Sequence, residues 1–196
     1  METRQMKKQI AQTIAMHRKM LDCLETGCIE IIEKTAKTII NCIEKGGIIY
    51  ICGNGGSAAD AQHISGELIG RFLRERKALP AVALSTDTSV ITSVANDYGF
   101  ENVFAKQVEG LIKKGDCLWA LSTSGSSPNV IKAAELAKKH GAKIIAFTGK
   151  KNSRLGKIAN ICLCAENERS FAVQEMHQVA YHIICGLVEQ HFKRGK

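Results

Sequence analysis

Apolar residues recur at two different spacings along the chain, and the change divides it near residue 47. Before that point the apolar positions keep helical spacing, which predicts two helices within residues 1–45. Gly27 separates the two helices, and Gly46 and Gly47 end the second. No catalytic pattern lies in this segment, so we expect it to serve packing or self-association.

Short, continuous apolar runs rich in branched residues replace the helical spacing after Gly47. Runs of this kind are typical of parallel strands buried on both faces. Helix-patterned segments lie between most of them, and this alternation predicts an α/β fold with a mainly parallel sheet. The runs predicted as strands are residues 48–52, 81–84, 117–121, 143–147 and 161–164. Because such sheets bind ligands at the carboxyl ends of their strands, the turns after the strands are the candidate sites.

The composition is that of one compact globular domain. Of 196 residues, 45% are hydrophobic and 23% charged, too apolar a mixture for a disordered chain. No stretch of 18 apolar residues lacks a charge, so a membrane-spanning helix is not expected. The first residues lack the apolar core of a signal peptide, and we therefore expect a cytoplasmic location.

The formal net charge of +8 raises the question of nucleic-acid binding. Basic residues gather near the two ends of the chain, and none of the nine Phe and Tyr residues or the single Trp interleaves with a basic run. Solvated helix faces explain the charge better. Nucleic acid is therefore not expected as a partner, whereas a small anionic substrate is compatible with the charge.

The eight cysteines carry no recognisable spacing. The chain contains no C-x-x-C, and most cysteines lie inside apolar runs. In a reducing compartment such residues are best interpreted as buried free thiols that pack like small apolar side chains.

A glycine-rich turn follows the first predicted strand. Its sequence, Gly53-Asn54-Gly55-Gly56-Ser57, lets the backbone turn sharply and approach a ligand closely. Ser57 is predicted to cap the following helix, with Asp60 in a capping-box position. The free N–H groups of that helix would then face the turn. Alone, such a turn is only a weak indication of a binding site.

A turn rich in hydroxyl groups follows the third predicted strand. Pro128 fits the first position of the next helix, with Ser127 as its N-cap. Hydroxyls and backbone N–H groups at a helix N-terminus can hold an anion without any charged side chain, and we expect a phosphate site there. The hydroxyls are those of Ser122, Thr123, Ser124 and Ser127.

Four polar residues on two predicted helices are the candidates for chemistry. His63 and Glu67 stand four residues apart and share one helix face, and Gln174 and His182 share a face two turns long. Taken singly, each pair could be a solvated surface pair. Taken together, they could supply a glutamate base with a proton-transferring histidine, or they could hold a metal, although a glutamine amide is a weak zinc ligand.

These motifs occur together in one known family. The glycine turn, His63-x-x-x-Glu67, Asn96-Asp97-Tyr98-Gly99, the serine turn and Gln174-Glu175-x-His177 with His182 resemble the phosphoheptose isomerases of the sugar isomerase (SIS) domain family. The motifs keep the family order and span essentially the whole chain. The resemblance implies a single SIS domain over residues 1–196, with a flavodoxin-like five-stranded parallel sheet and residues 1–45 as a helical extension. It also implies a homotetramer with active sites between subunits.

The resemblance further implies a reaction and its residues. Sedoheptulose 7-phosphate would be converted to D-glycero-D-manno-heptose 7-phosphate through an ene-diol, in the synthesis of lipopolysaccharide or capsule precursors. Glu67 would be the base and His182 the proton-transferring acid. One zinc ion would be held by His63, Glu67, Gln174 and His182. Besides Glu67 and the four hydroxyl residues of the serine turn, the implied substrate contacts are Asn54, Gly55, Gly56, Ser57, Arg71, Asn96, Asp97 and Gln174.

One segment departs from the family pattern. Phe171 stands where the family usually has a polar residue that contacts substrate, and the family's arginine two positions before the glutamine is missing. The phosphate site and the acid–base pair are unaffected. The exact sugar phosphate is left open, because a shorter or deoxygenated sugar would tolerate an apolar contact better.

Two other functions fit parts of the sequence. Some relatives of the family are non-catalytic adaptors that help a DNA replication initiator assemble, but these tend to lose the carboxylate at the position of Glu67. A regulatory sugar-phosphate sensor would normally carry a DNA-binding domain. One α/β domain and two leading helices already account for the whole of this chain, so we do not expect a sensor. The presence of Glu67 favours the enzyme.

Overall fold

One parallel sheet forms the centre of the molecule, in a computed structural model that describes residues 3–193. Its strands are β1 (Ile49–Cys52), β2 (Ala81–Ala83), β3 (Cys117–Ser122), β4 (Lys143–Thr148) and β5 (Ile161–Cys164). They pair in the order β2-β1-β3-β4-β5, all parallel, which is the flavodoxin-like order. The five predicted strands are confirmed, each within one residue at either end.

Eight helices and one short 3-10 helix accompany the strands within residues 3–193. The helices are α1 (Thr3–Gly27), α2 (Ile29–Glu44), α3 (Gly56–Ile69), α4 (Thr88–Tyr98), α5 (Ala105–Leu111), α6 (Pro128–Lys139), α7 (Arg154–Ile158) and α8 (Ser170–Phe192). The 3-10 helix is Phe100–Asn102. The prediction of two leading helices is confirmed for the described residues, and residues 1–2 lie outside them.

The helices cover both faces of the sheet and bury two apolar clusters. On one face, α1, α2, α3 and α8 pack against the strands, and on the other α4, α5, α6 and α7 do so. Every residue of β1 and β3 is buried, as the continuous apolar runs predicted. On the first face, Trp119 and Phe147 pack edge to face, with ring centroids 5.1 Å apart.

The register of the two central strands places the site. Ile51 pairs with Trp119 and Cys52 pairs with Ala120, so β1 and β3 end side by side. The glycine turn after β1 and the serine turn after β3 are therefore neighbours at one edge of the sheet. No helix among the described residues has the length and apolar character needed to cross a membrane.

Most of the cysteines lie inside the fold, as expected. Five are buried and two half-buried, and burial raises the pKa of the Cys52 thiol to about 12. Cys23 differs from the expectation, because α1 presents its side chain to solvent. The buried thiols act as small apolar packing groups.

Candidate active site

The glycine turn begins α3 two residues earlier than its sequence predicted, at Gly56 instead of after Ser57. Gly55 adopts a left-handed φ of 55° and is the N-cap, so Ser57 lies inside the first helical turn, where it is buried. The predicted cap by Ser57 and its capping box with Asp60 are therefore wrong. A side chain at Gly56 would place its Cβ 2.5 Å from Oε1 of Gln174, so the amide of Gln174 would have to move to make room for it.

Three hydroxyls of the serine turn converge as predicted. The Oγ of Ser122 lies 3.0 Å from that of Ser127 and 3.4 Å from that of Ser124. Ser127 is the N-cap of α6 and Pro128 its first residue, which confirms both predictions. The Ser127 hydroxyl, however, faces Ser122 and makes no cap hydrogen bond with the residues of α6. The three hydroxyls thus gather at the N-terminus of α6, where Pro128 has no N–H and the N–H of Val130 donates to Oδ1 of Asn129.

Thr123 differs from the other hydroxyl residues of the turn. It turns away from them and donates a hydrogen bond of 3.2 Å to the Oγ of Ser170, the first residue of α8. Phe171, the next residue, is exposed and lies near the His17 ring of α1, with centroids 6.2 Å apart. A hydroxyl of α8 therefore reaches the serine turn from Ser170, beside the apolar Phe171.

Glu67 and two histidines meet beyond the glycine turn. The Nε2 of His63 lies 3.0 Å from Oε1 of Glu67 and 3.5 Å from Nε2 of His182. One ligand atom from each of the three lies within 4.8 Å of the others. Because α3 carries two of these residues and α8 the third, the packing of these helices creates the cluster.

Tyr181 orients the first histidine of the cluster. Its hydroxyl lies 2.9 Å from Nδ1 of His63 and donates to Oδ1 of Asp60 at 3.5 Å. When the hydroxyl donates to Asp60, it accepts from Nδ1–H of His63, so Nε2 of His63 keeps its lone pair for the cluster. Burial raises the pKa of Asp60 to about 6, although the hydrogen bond from Tyr181 and the nearby His63 oppose the shift.

His182 lies in a partly apolar environment. Its ring stacks on that of Phe72, with centroids 5.5 Å apart and an interplanar angle of 11°. Burial and the neighbouring His63 lower the pKa of His182, while Glu67 acts in the opposite direction. A histidine that is neutral at physiological pH can accept or donate a proton.

Three of the predicted substrate contacts lie at the surface of the single chain. Arg71, Asn96 and Asp97 are exposed. The amide of Asn96 donates to Oδ1 of Asp97 at 2.8 Å, and within residues 3–193 neither residue hydrogen-bonds to the two turns. Asn54 is different, because its amide is bonded to Asn129 at the start of α6.

The cluster offers nitrogen and oxygen donors that could hold a metal ion. Zinc bonds to nitrogen and oxygen of about 2.0–2.2 Å place ligand atoms of a tetrahedral site about 3.3–3.6 Å apart. The separation of 3.5 Å between the two histidine nitrogens lies within that range, and the 3.0 Å between His63 and Glu67 lies just below it. Tyr181 supplies the outer hydrogen bond that metal-binding histidines usually make. Gln174 stands about 12 Å from His182 along α8, with its amide against Gly56.

Sequence reasoning missed three polar residues of this region. Tyr181 directly precedes His182, and its phenol could have been found as the polar group nearest the proposed acid. Asn129 directly follows Pro128 in the first turn of α6, and only the structure shows that its side chain is buried. Ser170 carries no local sequence signal, because its contact with Thr123 depends on how α8 packs against the serine turn.

Comparison with known proteins places the chain among sugar-phosphate isomerases. The SIS domain family model matches residues 14–149. The phosphoheptose isomerase of a Nitratiruptor species is 53% identical over 144 residues, which are 74% of this chain and 77% of the relative. The phosphoheptose isomerase of Helicobacter pylori (strain P12) is 45% identical over 175 residues, 89% of each chain.

A solved structure agrees with these sequence comparisons. The phosphoheptose isomerase of Neisseria gonorrhoeae superposes with a TM-score of 0.89 at 36% identity, over 94% of this chain and 99% of its own. The similarity therefore includes the two leading helices as well as the sheet.

Proposed function

The chain belongs to the phosphoheptose isomerases of the SIS domain family, and on that premise we propose that it interconverts sedoheptulose 7-phosphate and D-glycero-D-manno-heptose 7-phosphate. The observation that carries the proposal is the meeting of Glu67, His63 and His182, with ligand atoms within 4.8 Å of one another. A carboxylate beside an imidazole is the pair that aldose–ketose isomerisation requires.

The two groups divide the chemistry of the proposed reaction. Glu67 removes a proton from the carbon next to the substrate carbonyl, which leaves an ene-diol, and delivers a proton that has exchanged with solvent to the neighbouring carbon. His182 moves a proton between the two oxygens of the ene-diol. The stacked Phe72 ring holds the imidazole in place during both transfers. The net reaction moves two hydrogens and requires no external oxidant or reductant.

The serine turn is the proposed phosphate site. The hydroxyls of Ser122, Ser124 and Ser127 converge at the N-terminus of α6, where the positive end of the helix dipole favours an anion. Thr123 completes the turn by fixing it to Ser170. The glycine turn, Arg71, Asn96 and Asp97 are assigned to the sugar chain in the same proposal.

Zinc is the proposed cofactor. His63, Glu67 and His182 would hold it, and the spacing of these three supports the assignment. Gln174 would become the fourth ligand by turning its amide from Gly56 towards the cluster. When bound, zinc supplies a Lewis acid that polarises the carbonyl oxygen.

The proposal also covers the assembly of the protein, its location and the pathway that uses its product. Exposed apolar residues along α1, among them Ile10 and Ile14, support self-association, for which we propose a homotetramer. Buried free thiols fit a reducing cytoplasm. The product would feed lipopolysaccharide or capsule precursors.

Deuterium exchange tests the proposed reaction. The protein is incubated with sedoheptulose 7-phosphate in deuterated water, and the sugar phosphates are followed by mass spectrometry and NMR. We expect one carbon-bound deuterium in the product. Sedoheptulose without its phosphate is the control, and we expect it to react far more slowly because the serine turn has nothing to hold.

The same assay distinguishes the adaptor alternative. The adaptor function would be favoured over the isomerase if the protein gave neither deuterium exchange nor product and captured a replication initiator strongly in a pull-down. No contact among the described residues favours that alternative, and the carboxylate of Glu67 stands where adaptors tend to lack it.

A further inference from the structure

A buried ion pair lies beneath the loop that joins α3 to β2. The side chains of Arg76 and Glu189 are only 1% and 2% exposed, and Nε of Arg76 lies 3.7 Å from Oε1 of Glu189. Arg76 belongs to the loop and Glu189 to the last turns of α8. Removing two charges from water is costly, and a buried pair is weak evidence for stability by itself. Its hydrogen bonds indicate what it does.

Arg76 completes the C-terminal end of α3. Its Nη2 donates to the carbonyl of Glu67 at 2.6 Å, and its Nη1 donates to the carbonyls of Gly70 and Lys77 at 2.8 and 3.0 Å. The last carbonyls of a helix lack partners within the helix, and the negative end of its dipole favours a cation. The guanidinium thus fixes the backbone of the residue that carries the proposed base.

Glu189 fixes the loop from the other side. Its Oε1 accepts from the N–H of Phe72 at 2.8 Å, and its Oε2 accepts from the N–H of Leu73 at 2.7 Å. The Phe72 ring stacks on His182, two turns earlier on the same helix, and lies beside Gly186 between them. The carboxylate thus sets the position of the ring that covers the proposed acid.

We infer that Arg76 and Glu189 are positioning residues of the isomerisation, which together hold the backbone of Glu67 and the ring of Phe72 so that the base and His182 face the same substrate. This inference rests on the proposed function. Arg76 acts through the last turn of α3, and Glu189 acts through Phe72. Neither has to touch the substrate. Displacement of an acid–base pair by a fraction of an ångström slows chemistry more than it weakens binding.

Two conservative variants and one matched control test the inference. Arg76→Lys keeps the buried charge but loses the fork that spans three carbonyls, and Phe72→Leu keeps an apolar side chain but removes the stacked ring. Asp116→Asn is the control. Its buried carboxylate also accepts from two backbone N–H groups, those of Ile48 and Lys113, but at the opposite edge of the sheet.

The kinetic readout separates positioning from stability. At a temperature where all the proteins are folded, we expect Arg76→Lys and Phe72→Leu to lower kcat about 10- to 100-fold while KM changes less than about 3-fold. Asp116→Asn should lower the melting temperature but keep kcat within about 2-fold. Equal losses of kcat in all three variants, or unchanged kcat in Arg76→Lys, would overturn the inference.

A spectroscopic readout keeps the test independent of the reaction. With selectively 13C-labelled histidine, the ring resonance of His182 should shift in Phe72→Leu, because the ring current of the stacked phenyl is removed, and also in Arg76→Lys. It should stay unchanged in Asp116→Asn. An inactive wild type would contradict the proposed function, whereas an unshifted His182 resonance in Arg76→Lys would contradict the positioning role.

Discussion

Asn54 and Asn129 exchange two amide hydrogen bonds across the candidate site. Nδ2 of Asn54 donates to Oδ1 of Asn129 at 2.9 Å, and Nδ2 of Asn129 donates back at 2.8 Å. Asn54 belongs to the glycine turn, and Asn129, which is buried, belongs to the first turn of α6. The pair therefore ties the proposed sugar-binding turn to the proposed phosphate-binding turn.

Asn129→Ala should uncouple the two turns. The amide of Asn54 would lose both partners, and a buried polar group left unpaired costs about 1–3 kcal/mol. We expect kcat/KM for sedoheptulose 7-phosphate to fall about 10- to 100-fold in a coupled assay. Asn160→Ala is the control, because Asn160 also supports a backbone N–H, that of Ile144, but away from the site. Similar losses in both variants would contradict the coupling.

Glu67→Gln should abolish turnover and leave the fold intact. The amide keeps the shape of the side chain but cannot accept the carbon-bound proton, and positioned acid–base groups typically contribute about 10²- to 10⁴-fold. Circular dichroism checks the fold, and exchange from deuterated water checks the proton transfer. Glu75→Gln makes the same change on an exposed residue of the nearby loop and should retain activity. Near wild-type turnover in Glu67→Gln would remove Glu67 from its role.

Tyr181→Phe should loosen the proposed zinc site. The variant keeps the ring but deletes the hydroxyl that holds Nδ1 of His63. Loss of such an outer hydrogen bond typically costs about 10- to 100-fold in metal affinity or activity. Competition with a chelator, followed by elemental analysis, measures the affinity. Tyr50→Phe is the control, since its hydroxyl donates to Leu111 on the other face of the sheet. Equal zinc affinity in the two variants would argue against this role.

Much of the fold and part of the site follow directly from local sequence patterns. The strands were predictable because parallel strands buried on both faces read as continuous apolar runs, and β1 and β3 are of this kind. The two turns were predictable because they follow these strands. His63 and Glu67 could be paired because four residues make one helical turn.

The remaining features depend on contacts between distant parts of the chain. Arg76 and Glu189 lie in different elements, and no periodic pattern connects a loop arginine to a carboxylate near the end of α8. The helix start at Gly55 depends on its positive φ, where Ser57 offered the stronger local cap signal. The direction of Thr123 is set by Ser170, which only the packing of α8 brings near.

Ile10→Glu with Ile14→Glu should weaken the proposed tetramer. Both side chains are exposed in the single chain, at 59% and 49%, on a helix whose apolar face is not covered by residues 3–193. A buried carboxylate without a partner would oppose association. Sedimentation velocity should show smaller species. Gln5→Glu with Gln12→Glu adds the same charge on another face of α1 and should leave the mass unchanged. An unchanged mass in both double variants would exclude this face from the assembly.

His177 should contribute an acid-sensitive component to the stability. Its side chain is completely buried beside Phe147, and Nε2 lies 3.2 Å from the carbonyl of Thr148. Burial lowers the pKa of His177 to about 4, although the hydrogen bond to Thr148 opposes the shift. The unfolded chain, with an ordinary histidine pKa of about 6.5, therefore binds more protons than the folded one between these two values.

The sign of the effect follows from this difference. The free energy of unfolding falls as the pH drops from about 6.5 towards 4, by up to about 3 kcal/mol from this group alone. His177→Leu removes the titrating group and should remove that decline. Urea unfolding at pH 7, 6, 5 and 4.5 gives the free energy of unfolding of both proteins. Subtracting one curve from the other removes the contributions of the other carboxyl and imidazole groups. We expect the variant to gain stability relative to the wild type as the pH falls. A constant difference across this range would show that His177 titrates normally in the folded protein.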